Sequence, residues 1–218
     1  MTWDRTACQL NPYLALGLRC NPFVLEQDWE IAQSLWIDRG YSEPPRPKAR
    51  QLVQIIGVKG AGKTSHLRRW QSETGGPYCY YPPGWQRIKM PKVDVIAYWD
   101  EADRIPFPYL LLALGAAADD CATIVAGTHR DLSLAAKLVR LPVKTIWIKP
   151  FSAQLLGQWV MKRIEAVRIA GVACSLALSN RDAREIAITA NGSWREAADL
   201  LHIWAAEQAQ ACSKSAIT

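Results

Sequence analysis

Gly57-Val58-Lys59-Gly60-Ala61-Gly62-Lys63-Thr64 fits the pattern G-x-x-x-x-G-K-[ST] at every fixed position. The chemistry of such a loop is phosphate binding. Glycines let the backbone wrap closely around a polyphosphate, and N–H groups at the start of a following helix point at it with the positive end of the helix dipole. Lys63 would reach the β- and γ-phosphates, and the Thr64 hydroxyl would hold Mg²⁺. Gly57, Lys59, Gly60, Ala61, Gly62 and Ser65 would complete the cradle. The expected ligand is a nucleoside triphosphate, ATP, with Mg²⁺.

A second set of residues could act on that ligand. Val95-Ile96-Ala97-Tyr98-Trp99 is an apolar run that ends in Asp100-Glu101. At the end of a buried strand, Asp100 would join the Mg²⁺ shell and Glu101 would polarise the attacking water. The letters Asp100-Glu101-Ala102-Asp103 also spell the box of the DEAD helicases. Those enzymes close two domains over RNA, and 218 residues supply only one. Further along, Gly127-Thr128-His129-Arg130 follows another apolar run. Thr128 is the choice for a polar residue that senses the γ-phosphate or the water, the alternative being a cap on the next helix. His129 is read as a partly exposed hydrogen-bonding residue, since Glu101 already fills the role of base.

These motifs need a scaffold that brings strand ends together. Strands are expected at about 51–56, 78–81, 93–99, 122–126 and 143–148, and helices at 63–72, 108–118 and 132–140. Strands that are apolar on both faces and alternate with helices indicate an α/β fold, a parallel sheet sandwiched by helices. In such sheets ligands bind at the carboxyl ends of the strands, where each motif above falls. Before the core, Asn11-Pro12 and Asn21-Pro22-Phe23 are turn signals, and Trp29, Ala32, Leu35 and Trp36 share a helical stripe that Gly40 closes. Pro44-Pro45-Arg46-Pro47 is an extended connector. After Pro150 only helices are expected: Ser152–Arg168, then two opened by capping boxes, Ser179 with Asp182 and Ser193 with Glu196, near 181–189 and 194–210, with a frayed tail from Ala211. The division read from this pattern is an N-terminal helical segment and connector over 1–50, a P-loop core over 51–150, and a helical lid over 151–218.

The net charge of +6 is unevenly spread. Residues 51–150 carry thirteen basic and eight acidic groups, against six and six before them and seven and six after. Part of this excess faces phosphates of the nucleotide, and the rest could face nucleic acid. The connector Gly84-Trp85-Gln86-Arg87-Ile88-Lys89-Met90-Pro91-Lys92 concentrates it, with Arg87, Lys89 and Lys92 around a tryptophan. It is read either as a contact for duplex DNA or as a solvated loop with one packed Trp. The six cysteines spell no zinc or redox pair, and buried free thiols in a reducing cytoplasm are expected. The longest apolar stretch, Tyr109 to Ala118, is too short to cross a bilayer, so no membrane role is expected and the location is read as cytoplasmic.

The ordered set of motifs at 57–64, 95–101 and 128, followed by Gly192-Ser193-Trp194-Arg195 at the start of a late helix, resembles the AAA+ ATPases over roughly residues 50–210. The resemblance implies that Arg195 is a second sensor that pairs with the phosphates as the lid closes, the alternative being a surface arginine. It also implies a homo-oligomer, ring or filament, in which an arginine from a neighbouring subunit completes the site. The place for that finger holds Lys137-Leu138-Val139-Arg140-Leu141-Pro142, so Arg140 is the candidate, with Arg130 second. The alternative for Arg140 is a favourable charge at its helix's C-terminal end. Within the class, Leu18-Arg19-Cys20-Asn21-Pro22-Phe23, Gly127-Thr128-His129 and Pro150-Phe151-Ser152 are similar to compact bacterial ATPases related to TniB, TnsC and ExeA. The stretch between Lys63 and Asp100 is short for the class, so the helix usual between strands two and three is expected to be short or absent.

These readings lead to an ATP hydrolase that oligomerises as a nucleotide-dependent switch for a partner protein, on DNA, as a transposition-type regulator. The alternatives are a signalling or secretion-associated NTPase that engages only protein, and a small-molecule kinase.

Overall fold

The computed structural model describes residues 11–24, 34–41 and 43–215. Trp29 and Ala32 of the expected early helix, together with Cys8, lie outside the described residues. The chain divides into two compact units, one formed by residues 38–149 and the other by 1–37 with 150–218.

The 38–149 unit is built on five parallel strands: β1 Gln51–Ile56, β2 Tyr78–Tyr80, β3 Ile96–Asp100, β4 Thr123–Thr128 and β5 Val143–Trp147. Their order is β2-β3-β4-β1-β5. Three helices connect them, α1 Lys63–Thr74, α2 Phe107–Asp119 and α3 Ser133–Leu138. The apolar runs are explained by burial on both faces. Val53 and Ile55 of β1, Ile96 and Tyr98 of β3 and Val125 of β4 pack with Leu67 and Trp70 of α1. The alternate residues Leu52, Ala97, Trp99, Ile124 and Ala126 pack with Leu110, Ala113, Leu114 and Ala117 of α2 and Ala135 and Ala136 of α3. The fold is therefore a parallel α/β sandwich. Between β2 and β3 there is only a short 3₁₀ helix, Trp85–Arg87, in place of the usual α-helix.

Several boundaries differ from expectation. β3 starts at Ile96 rather than Val93, because the Asp94 carboxylate turns back to accept the Val95 N–H at 2.6 Å and Val95 itself is exposed. β4 runs two residues beyond Ala126, its pairing with β1 continuing to Ile56 opposite Thr128. α3 ends at Leu138, where the N–H of Leu141 bonds the carbonyl of Ala136 and that of Arg140 bonds Lys137. Of the five described cysteines, all free, only Cys79 is buried; Cys20 and Cys121 lie in exposed turns, not in the core.

Gln54 is a polar residue that lies fully inside this unit. The Gln54 amide nitrogen donates to Asp131 Oδ1 at 2.7 Å, Thr145 Oγ1 at 2.8 Å and Ser133 Oγ at 3.0 Å, and its oxygen accepts from the Leu132 N–H at 2.8 Å. It pins the turn after β4. Gln54→Leu removes these bonds and strands a buried N–H, so unfolding in urea should show a loss of about 1–3 kcal/mol. The hydrogen bonds from Ser133 and Gln54 hold the Asp131 carboxyl below its ordinary range. This contribution is present above the ordinary carboxylate pKa and is lost as pH falls through the carboxylate range. The acid side of the stability profile should be shallower in the Gln54→Leu variant.

The other unit carries α4 Ala153–Val167, α5 Asn180–Thr189 and α6 Trp194–Ser215, with a 3₁₀ helix Pro12–Leu16. Ser152, Ser179 and Ser193 cap the three helices by accepting from the N–H of Leu155, Asp182 and Glu196. Leu16, Leu18 and Phe23 share one core with Leu156, Val160, Leu201 and Ala205. Segments far apart in sequence thus build a single helical body. α6 continues past Ala211, where fraying was expected, to Ser215; the Ser213 hydroxyl donates to Ala209 O at 2.9 Å.

Candidate functional site

The strands run parallel, so β1, β3 and β4 deliver their C-terminal ends to one edge of the sheet, and the three motifs meet there. The glycine loop leaves β1 and enters α1 through Gly62, which stands at φ 91 and leaves the helix without a side-chain cap. An uncapped first turn has amide N–H groups with no partner inside the helix, which is an anion site. Lys63 is 5% exposed and curls back over the loop, its ammonium donating to Gly57 O at 2.9 Å and Val58 O at 3.1 Å. Burial lowers its pKa from the ordinary lysine value, opposed by the carboxylates of Glu101, Asp100 and Asp103. Loop carbonyls are exchangeable partners for a lysine, and phosphate oxygens are stronger ones.

The second half of the site is the end of β3. The Thr64 hydroxyl donates to Asp100 Oδ2 at 2.8 Å, so the two residues expected to hold Mg²⁺ already touch. An oxygen pair of this kind fits a small hard cation that takes its remaining ligands from water and phosphate. Asp100 is 1% exposed, and its Oδ1 accepts the Glu101 N–H at 3.1 Å. Glu101 follows in the left-handed region at φ 59, a cost that functional sites carry when their surroundings enforce it. That conformation ends the strand and turns the carboxylate aside, with Oε2 at 3.0 Å from Arg104 Nη2 and 3.4 Å from His129 Nε2. Gly127 faces this pair across the sheet. A Cβ there would lie 3.0 Å from Asp100 Oδ1 and 2.9 Å from Leu67 Cδ1, so any larger residue would push on the Asp100 carboxylate and on Leu67.

Four contributors were not singled out for the site from the sequence. Tyr78, on β2, donates its hydroxyl to Asp100 Oδ2 at 2.7 Å, and the Arg68 guanidinium lies 3.5 Å from its ring centroid. Burial and the Asp100 carboxylate push the Tyr78 phenol well above the ordinary tyrosine range, so it stays a donor. Asp103 accepts from the His129 N–H at 3.1 Å and the Thr128 hydroxyl at 3.3 Å. Arg104 holds Glu101, and His129 lies between Glu101 and Lys63, its ring nitrogens 3.3 and 3.4 Å from Nζ. For Asp103, Arg104 and His129 the available signal was proximity in sequence to Asp100-Glu101 and Thr128; for Tyr78 there was none.

Thr128 is fully buried, and its hydroxyl donates to Arg130 O at 2.8 Å while accepting the Arg130 N–H at 3.1 Å. It shapes the turn that carries His129. Arg130 and Arg140 are exposed. Arg140 stands at φ 55, and its guanidinium has no hydrogen-bond or ion-pair partner among the described residues. Arg195 belongs to the helical unit, exposed on the first turn of α6. Arg87, Lys89 and Lys92 are exposed on the connector between β2 and β3, where Trp85 is 86% exposed rather than packed.

No protein-family model matches the chain, and no curated protein matches it. Among solved structures it is similar to the Thermotoga maritima RuvB Holliday junction branch migration motor, at 17% identity and a TM-score of 0.48, over 69% of this chain and 53% of that one. It is also similar to Cdc6p from Pyrobaculum aerophilum, at 16% identity and a TM-score of 0.46, over 90% of this chain and 66% of that one. The chain spans about half the length of RuvB. Likenesses this distant leave function to the residues themselves. No helix among the described residues is long and apolar enough to cross a membrane.

Proposed function

We propose that the protein is an AAA+ ATPase that binds and hydrolyses ATP with Mg²⁺ and oligomerises as a nucleotide-dependent switch on duplex DNA. The observation that carries this reading is the contact set at one sheet edge: Lys63 over an uncapped helix start, Thr64 on Asp100, and Glu101 beside them.

Lys63 and the first amides of α1 neutralise and orient the phosphates, with the backbone from Gly57 to Ser65 as the cradle. Thr64 and Asp100 would hold Mg²⁺, which would supply positive charge against the charge of the phosphates. Glu101 orients the attacking water and accepts its proton. Tyr78 keeps Asp100 oriented, and His129, carried on the turn that the buried Thr128 shapes, reports on the γ-phosphate. Arg195 from the helical unit and Arg140 from a neighbouring subunit add positive charge around it. Acting on water and not on an alcohol acceptor distinguishes this enzyme from a kinase. Phosphate released in the absence of any acceptor substrate is the expected result.

The DNA part of the reading rests on charge and exposure. Arg87, Lys89 and Lys92 stand out from the connector around an exposed indole, and residues 51–150 carry the chain's excess of positive charge. Binding should be indifferent to sequence and steeply salt-dependent, because it releases counterions. Replacing all three residues with alanine should flatten the plot of log affinity against log salt by about three units of slope. An unchanged slope moves the contact elsewhere. A parent protein that never binds duplex, at low salt and with ATP, leaves a switch that engages only protein. The reading as a transposition-type regulator in the cytoplasm, with its own partner protein, rests on the resemblance to the TniB and TnsC class.

A further inference from the structure

We propose that Arg39 is a positioning residue for phosphate binding, one that turns the Ala61–Gly62 peptide so that the Gly62 N–H faces the triphosphate. This rests on the ATP-binding reading above.

The 38–149 unit begins at Asp38 and ends at Lys149. Arg39 is half-buried beside both ends, and its guanidinium bonds two backbone carbonyls far apart in sequence. Nη1 donates to Ala61 O at 2.8 Å, and Nη2 donates to Lys149 O. The fork thus ties the glycine loop to the chain just past β5. Neighbouring contacts keep it in place. The Tyr41 hydroxyl donates to Trp147 O at 3.0 Å, and its ring meets that of His66 edge-on. The Ile148 N–H donates to Ile56 O at 2.8 Å, and Ile148 packs in one core with Ala61. The Lys149 carbonyl is therefore a firm anchor, and the planar guanidinium fixes where the Ala61 carbonyl must lie.

Fixing that carbonyl fixes a donor. Across a trans peptide, the C=O of Ala61 and the N–H of Gly62 point in opposite directions. A plane next to glycine turns easily, and turned over it would aim its oxygen at a phosphate and repel it. Arg39 holds the oxygen, so the N–H stays on the other side. That N–H has no hydrogen-bond partner among the described residues. The next plane is held in the same manner. Gly62 O accepts the His66 N–H at 3.1 Å, and His66 Nδ1 lies 3.0 Å from the same oxygen. A carbonyl can only accept, so Nδ1 carries the proton; burial pushes the His66 pKa down to about 4 and keeps the ring neutral. The N–H groups of Gly62 and Lys63 are thus set from behind by two side chains. Successive N–H groups of this kind form a concavity for an anionic oxygen. It holds ground-state and transition-state phosphates alike, so Arg39 contributes to affinity and not to the chemical step.

The test measures ATP hydrolysis by the full chain, with affinities for ATP and inorganic tripolyphosphate read by displacement of a fluorescent ATP analogue. Arg39→Met removes both donors and should raise KM for ATP about 10–100-fold with no matching change in kcat. Kd for tripolyphosphate, which has neither base nor sugar, should rise by the same factor as Kd for ATP. Tyr41→Phe loses the bond to Trp147 O but none to the loop, and it should bind ATP as the parent does. A tie that only stabilises the unit predicts another pattern, in which both variants unfold at lower urea and neither moves KM. Should Arg39→Met fail to fold, Arg39→Lys keeps the charge without the planar fork, and it too should raise KM at constant kcat. The role is overturned if the folded Arg39 variant binds ATP as tightly as the parent, or if kcat falls in place of affinity. It is equally overturned if affinity falls for ATP and not for tripolyphosphate, because Arg39 would then act on the nucleoside. Failure of the underlying reading looks different: a parent that binds neither ATP nor tripolyphosphate removes that reading, and the role of Arg39 with it.

Discussion

Lys63→Ala should bind ATP too weakly to measure, while Glu101→Gln should bind it as the parent does and hydrolyse it about 10²–10⁴-fold more slowly. The two effects separate because the residues act at different stages. Lys63 is nearly buried and already spends its donors on Gly57 O and Val58 O. When a triphosphate enters, those donors pass to phosphate oxygens. Two charge-assisted bonds at about 1.5–3 kcal/mol each correspond to roughly 10²–10⁴ in Kd. Glu101 makes no bond to Lys63 in the structure and meets the ligand only through water, so its amide variant leaves binding alone. The Gln side chain cannot take the proton. Equilibrium binding of a fluorescent ATP analogue, together with single-turnover phosphate release, measures both stages. Equal loss of binding in the two variants would mean that Glu101 contacts the nucleotide or metal directly, and the role of base would then have to move to another group.

The glycine loop and the Asp100-Glu101 pair were legible from the sequence because their chemistry demands fixed residue types at fixed spacing. The alternation of strands and helices was legible because strands buried on both faces leave uninterrupted apolar runs, such as Ile96 to Trp99. What stayed hidden depends on register and strand ends. Tyr78 reaches Asp100 because β2 pairs with β3 so that Tyr80 lies opposite Asp100, and three residues of sequence cannot fix that pairing. The end of β4 is the sharper case. With the strand ending at Ala126, Thr128 would be a loop residue free to face the ligand. The strand instead runs to Thr128 and buries it, so the first side chain beyond the strand is His129, and its ring lies between Lys63 and Glu101. Arg104 was invisible for a related reason. Its ion pair with Glu101 and its hydrogen bond to the Tyr81 carbonyl need a left-handed Glu101 and a 3₁₀ turn, a local geometry that no residue pattern announces.

Arg140→Gly should leave the fold as stable as before or more so, yet abolish hydrolysis by the assembled protein. Arg140 follows α3 at φ 55, where the N–H of Arg140 and of Leu141 close the helix onto Lys137 and Ala136. This is the position at which helices most often place glycine, because a side chain in the left-handed region costs roughly 1 kcal/mol. Glycine relieves that cost and gives back part of it in unfolded-state entropy, so a net change between zero and about 1 kcal/mol of stabilisation is expected in thermal or urea unfolding. The location limits what the guanidinium can reach. Arg140 precedes β5, and the β1 strand parallel to β5 carries the glycine loop at its far end, so a strand of five residues, roughly 17 Å, separates the arginine from its own subunit's phosphates. In the assembly proposed above, an arginine finger at this place would act on a neighbouring subunit's γ-phosphate, where such fingers contribute about 10³–10⁵ in rate. Arg140→Gly should therefore bind ATP normally as an isolated subunit and fail to hydrolyse it when assembled. Mixing it with Glu101→Gln subunits should restore part of the activity, since some interfaces then pair an intact Glu101 with an intact Arg140. A charge that merely favours the end of α3 predicts a less stable variant and no rescue by mixing. If Arg130→Ala shows the loss and the rescue instead, the finger is the arginine just past β4. If hydrolysis per subunit stays flat as concentration rises through assembly, no arginine acts across the interface.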